Sequence, residues 1–259
     1  MVEHRGALLG TVSVPGPVYR VTHFRNNGFQ PAPREYAGSG RFDDPSLLNA
    51  PAGSRDEGAC FRTVYCSSSR VAAFGETIAA FRQDFTLLAR LHEVPDHGAF
   101  LEPVDDVLAY AGVVTDDWRT THVVDEADLD TDLRLVDLAA PATIAHLRAV
   151  FAMVALSEWD LREFDSSDLM GRDRRITQTV ARYVYFDADE QGQPRYDGLR
   201  YPSRLGANWD CFAMFHDRLW GRHTPGFPRS ILADDPDLAE AARVLGLRIE
   251  FPPGHYVVP

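Results

Sequence analysis

Hydrophobic positions change their period several times along the chain, and each change predicts an element. Over 17–24, Pro-Val-Tyr-Arg-Val-Thr-His-Phe mixes β-branched and aromatic residues with polar ones in alternation, which predicts a strand. Periodicity is absent from 25 to 59, a span rich in Gly, Pro, Asn, Ser and Asp that reads as a long loop. Loops of that length in compact domains tend to be functional or disordered. A second strand is predicted over 61–66, and Ser67, Ser68 and Ser69 supply hydroxyls suited to capping a following helix. In that helix Val71, Phe74, Ile78, Phe81, Phe85 and Leu88 recur three and four apart, one buried stripe. Glu76 falls off the centre of the stripe, in the early turns where the positive end of the helix dipole favours a carboxylate.

Downstream, 94–126 mixes short apolar runs such as 107–114 with turn residues and reads as a hairpin or an inserted lobe. A strand is predicted over 133–138. Pro141 then opens a helix to about Leu156, with Ile144, Leu147, Phe151 and Val154 on its apolar face. A further helix is predicted over 174–183, short strands over 198–203 and 211–215, and a last helix from Asp235-Pro236 to Gly246. Helices and strands are interspersed without regular βαβ alternation, which predicts an α+β fold. No internal repeat or Gly/Ser linker divides the chain, so residues 1–259 read as one elaborated domain.

Composition narrows the chemistry. The 259 residues, 45% of them apolar, are ample for a large buried core. A net charge of −12 opposes binding to nucleic acid or to an anionic membrane. All 26 cationic residues are arginine. Without lysine there is no Walker-type phosphate loop, no Schiff base and no pyridoxal chemistry of the usual kind, so a bound phosphate is left to arginine forks and backbone amides. Cys60, Cys66 and Cys211 form no Cys-x-x-Cys pair, which suits a reducing cytoplasm. Cys66 has nothing beside it in the sequence to activate it as a nucleophile and reads as a small buried hydrophobe. No secretion signal and no ~20-residue apolar run is present, so a cytoplasmic, soluble protein is expected.

Several familiar motifs fail on their own requirements. The acidic stretch 125–132 reads as a solvated loop; a calcium-loop register from Asp128 puts Leu133 where glycine is needed and Ala139 where glutamate is needed. The nine histidines show no zinc spacing. Ser203 lacks the glycines of Gly-x-Ser-x-Gly, and no Gly-x-Gly-x-x-Gly turn follows a strand.

What remains is a set of separated blocks: Tyr19-Arg20, Gly40-Arg41-Phe42-Asp43, Tyr65 with Glu76 eleven positions on, and Asp197-Gly198-Leu199-Arg200-Tyr201-Pro202-Ser203-Arg204 followed by Asn208. Individually each has an ordinary explanation; Arg41, for instance, could pair with Asp43 or Asp44. Together, over about 15–216, they resemble the RES-domain family, named after its arginine, glutamate and serine. The resemblance implies an ADP-ribosyltransferase-like fold, a mixed or antiparallel β core with surrounding helices. It implies an NAD-degrading enzyme, a phosphorylase or glycohydrolase and in some relatives a toxin paired with an antitoxin. NAD is then the substrate, with no separate cofactor and no metal, and inorganic phosphate is a candidate acceptor. Arg41, Tyr65, Glu76 and Ser203 are the implied catalytic residues, with Tyr19, Arg20, Arg204 and Asn208 as substrate-binding support. Transfer of ADP-ribose to a protein or small metabolite, and a non-catalytic binding module, are the alternatives. The long span between Arg41 and Tyr65, the enlarged 94–132 region and the 221–259 tail are departures from a minimal member.

Overall fold

The computed structural model describes residues 9–14, 16–26, 28–33, 37–48, 60–82, 112–206 and 208–251. The predicted continuation of the first long helix through Phe85 and Leu88, most of the region expected as a hairpin or lobe, and the 51–54 stretch lie outside these residues.

Strands β1 (Thr11–Val12), β2 (Val18–His23), β3 (Thr63–Ser67), β5 (His122–Leu129), β6 (Leu135–Asp137), β7 (Gly198–Pro202), β8 (Asp210–Phe215), β9 (His223–Pro225) and β10 (Arg229–Ser230) form the main sheet among the described residues. Its order is β1-β6-β7-β8-β3-β2-β5-β10, with β9 also on β5. The β6–β7 pair is parallel and every other pair in it is antiparallel. A separate parallel pair joins β4 (Val113–Val114) to β11 (Arg248–Ile249). The helices are α1 (Arg70–Ile78), α2 (Asp116–Thr121), α3 (Pro141–Ser157), α4 (Ser166–Met170), α5 (Arg174–Phe186), α6 (His216–Leu219) and α7 (Pro236–Leu245). This is the expected α+β class, with a mixed sheet.

Side-chain alternation explains the layering. In β8, Cys211, Ala213 and Phe215 enter one core with Leu147 and Phe151 of α3 and Val180, Ala181 and Val184 of α5. Its alternate residues Phe212 and Met214 enter a second core with Val64, Cys66, Leu133 and Leu135. With both faces covered, the strand reads as a continuous apolar run. A third core gathers Phe74 and Ile78 of α1, Leu238, Ala241 and Ala242 of α7, Val21, Val124 and Trp209. Phe74 and Ile78 are fully buried, and such side chains contribute about 1.5–3 kcal/mol each.

Two expectations are corrected and a third is given detail. The acidic stretch is largely strand: β5 pairs with β2 at six positions from Val18↔Ala127 to His23↔His122 and with β9 and β10 on its other edge. Pairing on both sides holds these residues extended, and Arg222 meets Asp132 and Asp197 at 2.8 Å beyond the strand's end. Within the region expected as a hairpin or lobe, 116–121 is helical, started by Thr115, whose hydroxyl accepts the Trp118 N–H. Finally, α1 is short. It begins at Ser69, whose Oγ accepts the Ala72 N–H, and passes at Ala79 into a 3-10 turn. Glu76 therefore sits in the last α-helical turn, where the dipole of the first turn does not favour a carboxylate. Among the described residues no helix is long and apolar enough to cross a membrane.

Candidate active site

β2 and β3 pair at one position, Tyr19↔Ser67. Beyond it the strands part, and α1 packs against both. A cavity of about 330 Å³ lies at this divergence, near the lower end of the ~300–1,000 Å³ typical of ligand sites. β2 lines it with Tyr19, Arg20 and Val21, β3 with Tyr65, Cys66 and Ser67, and α1 with Ala73, Glu76 and Thr77; Gly40, Arg41, Tyr201 and Cys211 complete the wall.

Arg41 is held at the cavity by a tightly specified turn. Asp43 Oδ2 accepts the N–H groups of Gly38 (2.9 Å) and Gly40 (2.8 Å), while Oδ1 accepts the Tyr65 hydroxyl at 2.8 Å. The same tyrosine oxygen accepts the Phe42 N–H at 2.9 Å. From α5, Gln178 donates through Nε2 to the carbonyls of Gly38 (2.8 Å) and Gly40 (2.9 Å). Only glycine fits at 40, because a Cβ there would lie 2.5 Å from the Tyr65 hydroxyl. The Arg41 guanidinium sits 5.2 Å from the ring centres of both Phe42 and Tyr201, within cation–π range, and Nη2 donates to the Leu169 carbonyl at 2.7 Å. It does not pair with Asp43 or Asp44. Asp43 is occupied as above, and buried Asp44 binds Arg182 at 2.7 Å.

Opposite this turn, Ser203 donates its hydroxyl to Glu76 Oε1 at 2.5 Å. The serine is itself fixed, since its Oγ accepts the Leu205 N–H at 3.0 Å and its N–H reaches the Trp209 carbonyl at 2.7 Å. One carboxylate oxygen of Glu76 is thus anchored from β7's end while the residue remains exposed. Arg20 donates to the Gln30 carbonyl at 2.9 Å. Burial pulls its guanidinium below the ordinary value, with Cys66 and Asp125 opposing that shift. Burial, then Asp43, pushes the Tyr65 hydroxyl well above the usual tyrosine value; burial also raises Tyr201, with Cys211 and Glu76 adding and Arg41 opposing. Tyr19 is raised by burial and then by Glu126. All three rings therefore present neutral hydroxyls at ordinary pH. Burial pushes the Cys66 thiol up to about 12 and raises Cys211 as well, so neither is poised as a thiolate.

Of the residues expected from sequence, Tyr19, Arg20, Arg41, Tyr65 and Glu76 share the cavity wall, and Ser203 joins them through Glu76. Arg204 is exposed next to Ser203. Asn208 is not among the lining residues; it is exposed and takes φ 65° in the turn before β8, a left-handed conformation that asparagine tolerates. Sequence reading missed Asp43 and Gln178 as anchors of the Arg41 turn and Tyr201 as the ring beneath Arg41. Asp43 carried a faint signal, an acid shortly after two glycines; Gln178 carried none beyond its place in a helix. Among the described residues no group of His, Cys, Asp and Glu is placed to hold a metal ion.

In comparisons with known proteins, the sequence model of the RES domain matches residues 17–231. The match runs past the end near 216 expected from the motifs and takes in β9 and β10. No curated protein and no solved structure matches the chain.

Proposed function

The chain belongs to the RES-domain family, and from that premise we propose that its cavity binds NAD and cleaves the nicotinamide–ribose N-glycosidic bond. The observation that carries the reading is the 2.5 Å contact of Ser203 with Glu76, which lines a cavity together with Arg41. In this bond cleavage positive charge leaves the ring nitrogen and develops on the ribose, so a carboxylate aimed at that carbon lowers the barrier. Two features support this role for Glu76: one oxygen is anchored by Ser203, and the residue lines the cavity.

Arg41 takes the diphosphate, for which its fixed guanidinium offers charge-assisted hydrogen bonds, and Arg20 assists. Tyr65 and Tyr201 present aromatic surface and neutral hydroxyls, and the small or apolar neighbours Val21, Cys66 and Ala73 keep the reactive end out of bulk water. Ser203 orients Glu76 and the nicotinamide ribose. The acceptor is inorganic phosphate or water, which makes the protein an NAD phosphorylase or glycohydrolase acting in the cytoplasm. As with toxins of this kind, an antitoxin that covers the cavity is the partner this reading calls for.

The test is to incubate the pure protein with NAD, with and without phosphate, and to follow products by mass. Free ADP-ribose identifies hydrolysis and ADP-ribose-1″-phosphate identifies phosphorolysis. Intact NAD under both conditions overturns the reading.

A further inference from the structure

Several arginines of this acidic chain are held in ion pairs. Arg70 meets Asp235 and Asp237, Arg182 meets Asp44, Arg200 meets Asp137 and Asp210, and Arg222 meets Asp132 and Asp197. With 38 acidic residues against 26 arginines, partners are plentiful. Arg41, Arg172, Arg174 and Arg204 have no ion pair among the described residues.

These four cations belong to segments that touch. Arg41 donates to the Leu169 carbonyl, Arg174 donates to the carbonyl of Ser39, and Gln178 holds Gly38 and Gly40, so the stretch from α4 into α5 lies along the Arg41 turn. Arg172 is exposed in the middle of that stretch. Arg204 follows the serine bound to Glu76, on the chain that leaves β7 just past Tyr201, the ring beneath Arg41. Partial burial and then the fields of Arg41, Arg172 and Arg174 lower Arg204 from its ordinary value, with Glu76 the opposing carboxylate. The nearest acids along the chain are already committed. Asp173 caps α5 and binds Arg175, and Asp165 and Asp168 form the capping box of α4.

We propose that Arg172, Arg174 and Arg204 form a subsite for a phosphate dianion at the cavity entrance, separate from the diphosphate position at Arg41. Like charges gathered without ion-pairing partners repel one another, and a doubly charged tetrahedral oxyanion with several acceptor oxygens relieves that repulsion while satisfying guanidinium donors. The dianion comes either from a phosphate monoester on the adenosine ribose of the nucleotide or from free phosphate. Only the first source rests on the NAD reading; the subsite itself does not.

Calorimetric titration of the full chain with inorganic phosphate, adenosine 5′-monophosphate and adenosine 2′,5′-bisphosphate tests this. The expected result is bisphosphate binding roughly tenfold tighter than monophosphate, or direct binding of free phosphate, with that gain lost in Arg172→Ala. A preference confined to the bisphosphate assigns the nucleotide-borne source, and binding of free phosphate assigns the other. Arg172 makes no hydrogen bond or ion pair among the described residues, so its removal leaves the fold intact; an unchanged thermal midpoint checks this. Arg204→Gln provides an independent second variant. A wild-type protein that shows neither effect, or variants that keep the wild-type affinities, overturns the subsite. Arginine-dependent anion binding in a protein that leaves NAD intact would sink the NAD reading alone. NAD consumption with anion binding indifferent to both variants would sink the subsite alone.

Discussion

In the proposed reaction Glu76 and Tyr65 divide the residue-scale work between chemistry and positioning. Glu76→Gln keeps the volume and can still meet Ser203, but it removes the negative charge that the proposed reaction sets against the developing sugar cation. NAD turnover should fall by about 10²–10⁴-fold, the range of a positioned acid–base group, with NAD affinity by calorimetry largely kept. Undiminished turnover would remove Glu76 from the mechanism. Tyr65→Phe keeps the ring and deletes the oxygen that joins Asp43 to the Phe42 N–H. Leaving those groups short of a partner should cost about 1–3 kcal/mol in denaturant unfolding and weaken NAD binding through the loosened Arg41 turn. Full affinity in this variant would show that Arg41 is held without it. Arg41 could be picked out as a candidate from its motif, but the means of holding it could not. Asp43 holds the turn through bonds that span 3 and 5 residues, and Gln178 through bonds that span 138 and 140.

At the scale of elements, α1 decides where the cavity opens. Its stripe of Phe74 and Ile78 faces α7 and Trp209, while Ala73, Glu76 and Thr77 face the space between β2 and β3. Close approach on the first of these faces depends on Gly75, where a Cβ would lie 2.0 Å from Trp209 Cζ3. Gly75→Ala forces the indole or the helix to shift. We expect a loss of about 1–3 kcal/mol in denaturant stability, as for other overpacked cores, and reduced turnover because Glu76 rides on the same helix one residue on. Wild-type stability would mean that Trp209 repacks freely. The start of α1 was legible from its serines and its apolar spacing. Its early end was not, because the 3.6-residue pattern of Phe81, Phe85 and Leu88 continues past the point where the backbone tightens at Ala79.

For the whole molecule, pH tests how two half-buried histidines are tied into the fold. Burial is the leading cause that lowers both His122 and His216 from their ordinary value of 6.5. His122 Nδ1 lies 2.7 Å from the Trp118 carbonyl, and His216 Nε2 lies 3.0 Å from Gln30 Oε1. A group lowered on folding contributes stability that is complete above its unfolded-state value and is lost as pH falls through the folded one. The denaturant midpoint should therefore drop as the pH is taken from about 7.5 to about 5.5, and His216→Gln should flatten part of that drop. Asp125, raised by burial, acts in the opposite sense, so the comparison with the variant isolates the histidine share. An identical pH profile in the variant would sever His216 from the effect. The amino-acid sequence by itself determined the α+β class, the type of most elements and the set of side chains suited to the chemistry, because backbone periodicity and residue chemistry are local properties. Only the tertiary structure decided that β2 and β3 meet at Tyr19 and Ser67 and then part, that Glu76 meets Ser203, and that Arg172, Arg174 and Arg204 form no ion pair among the described residues. Those outcomes depend on packing between segments far apart along the chain, which no local pattern encodes.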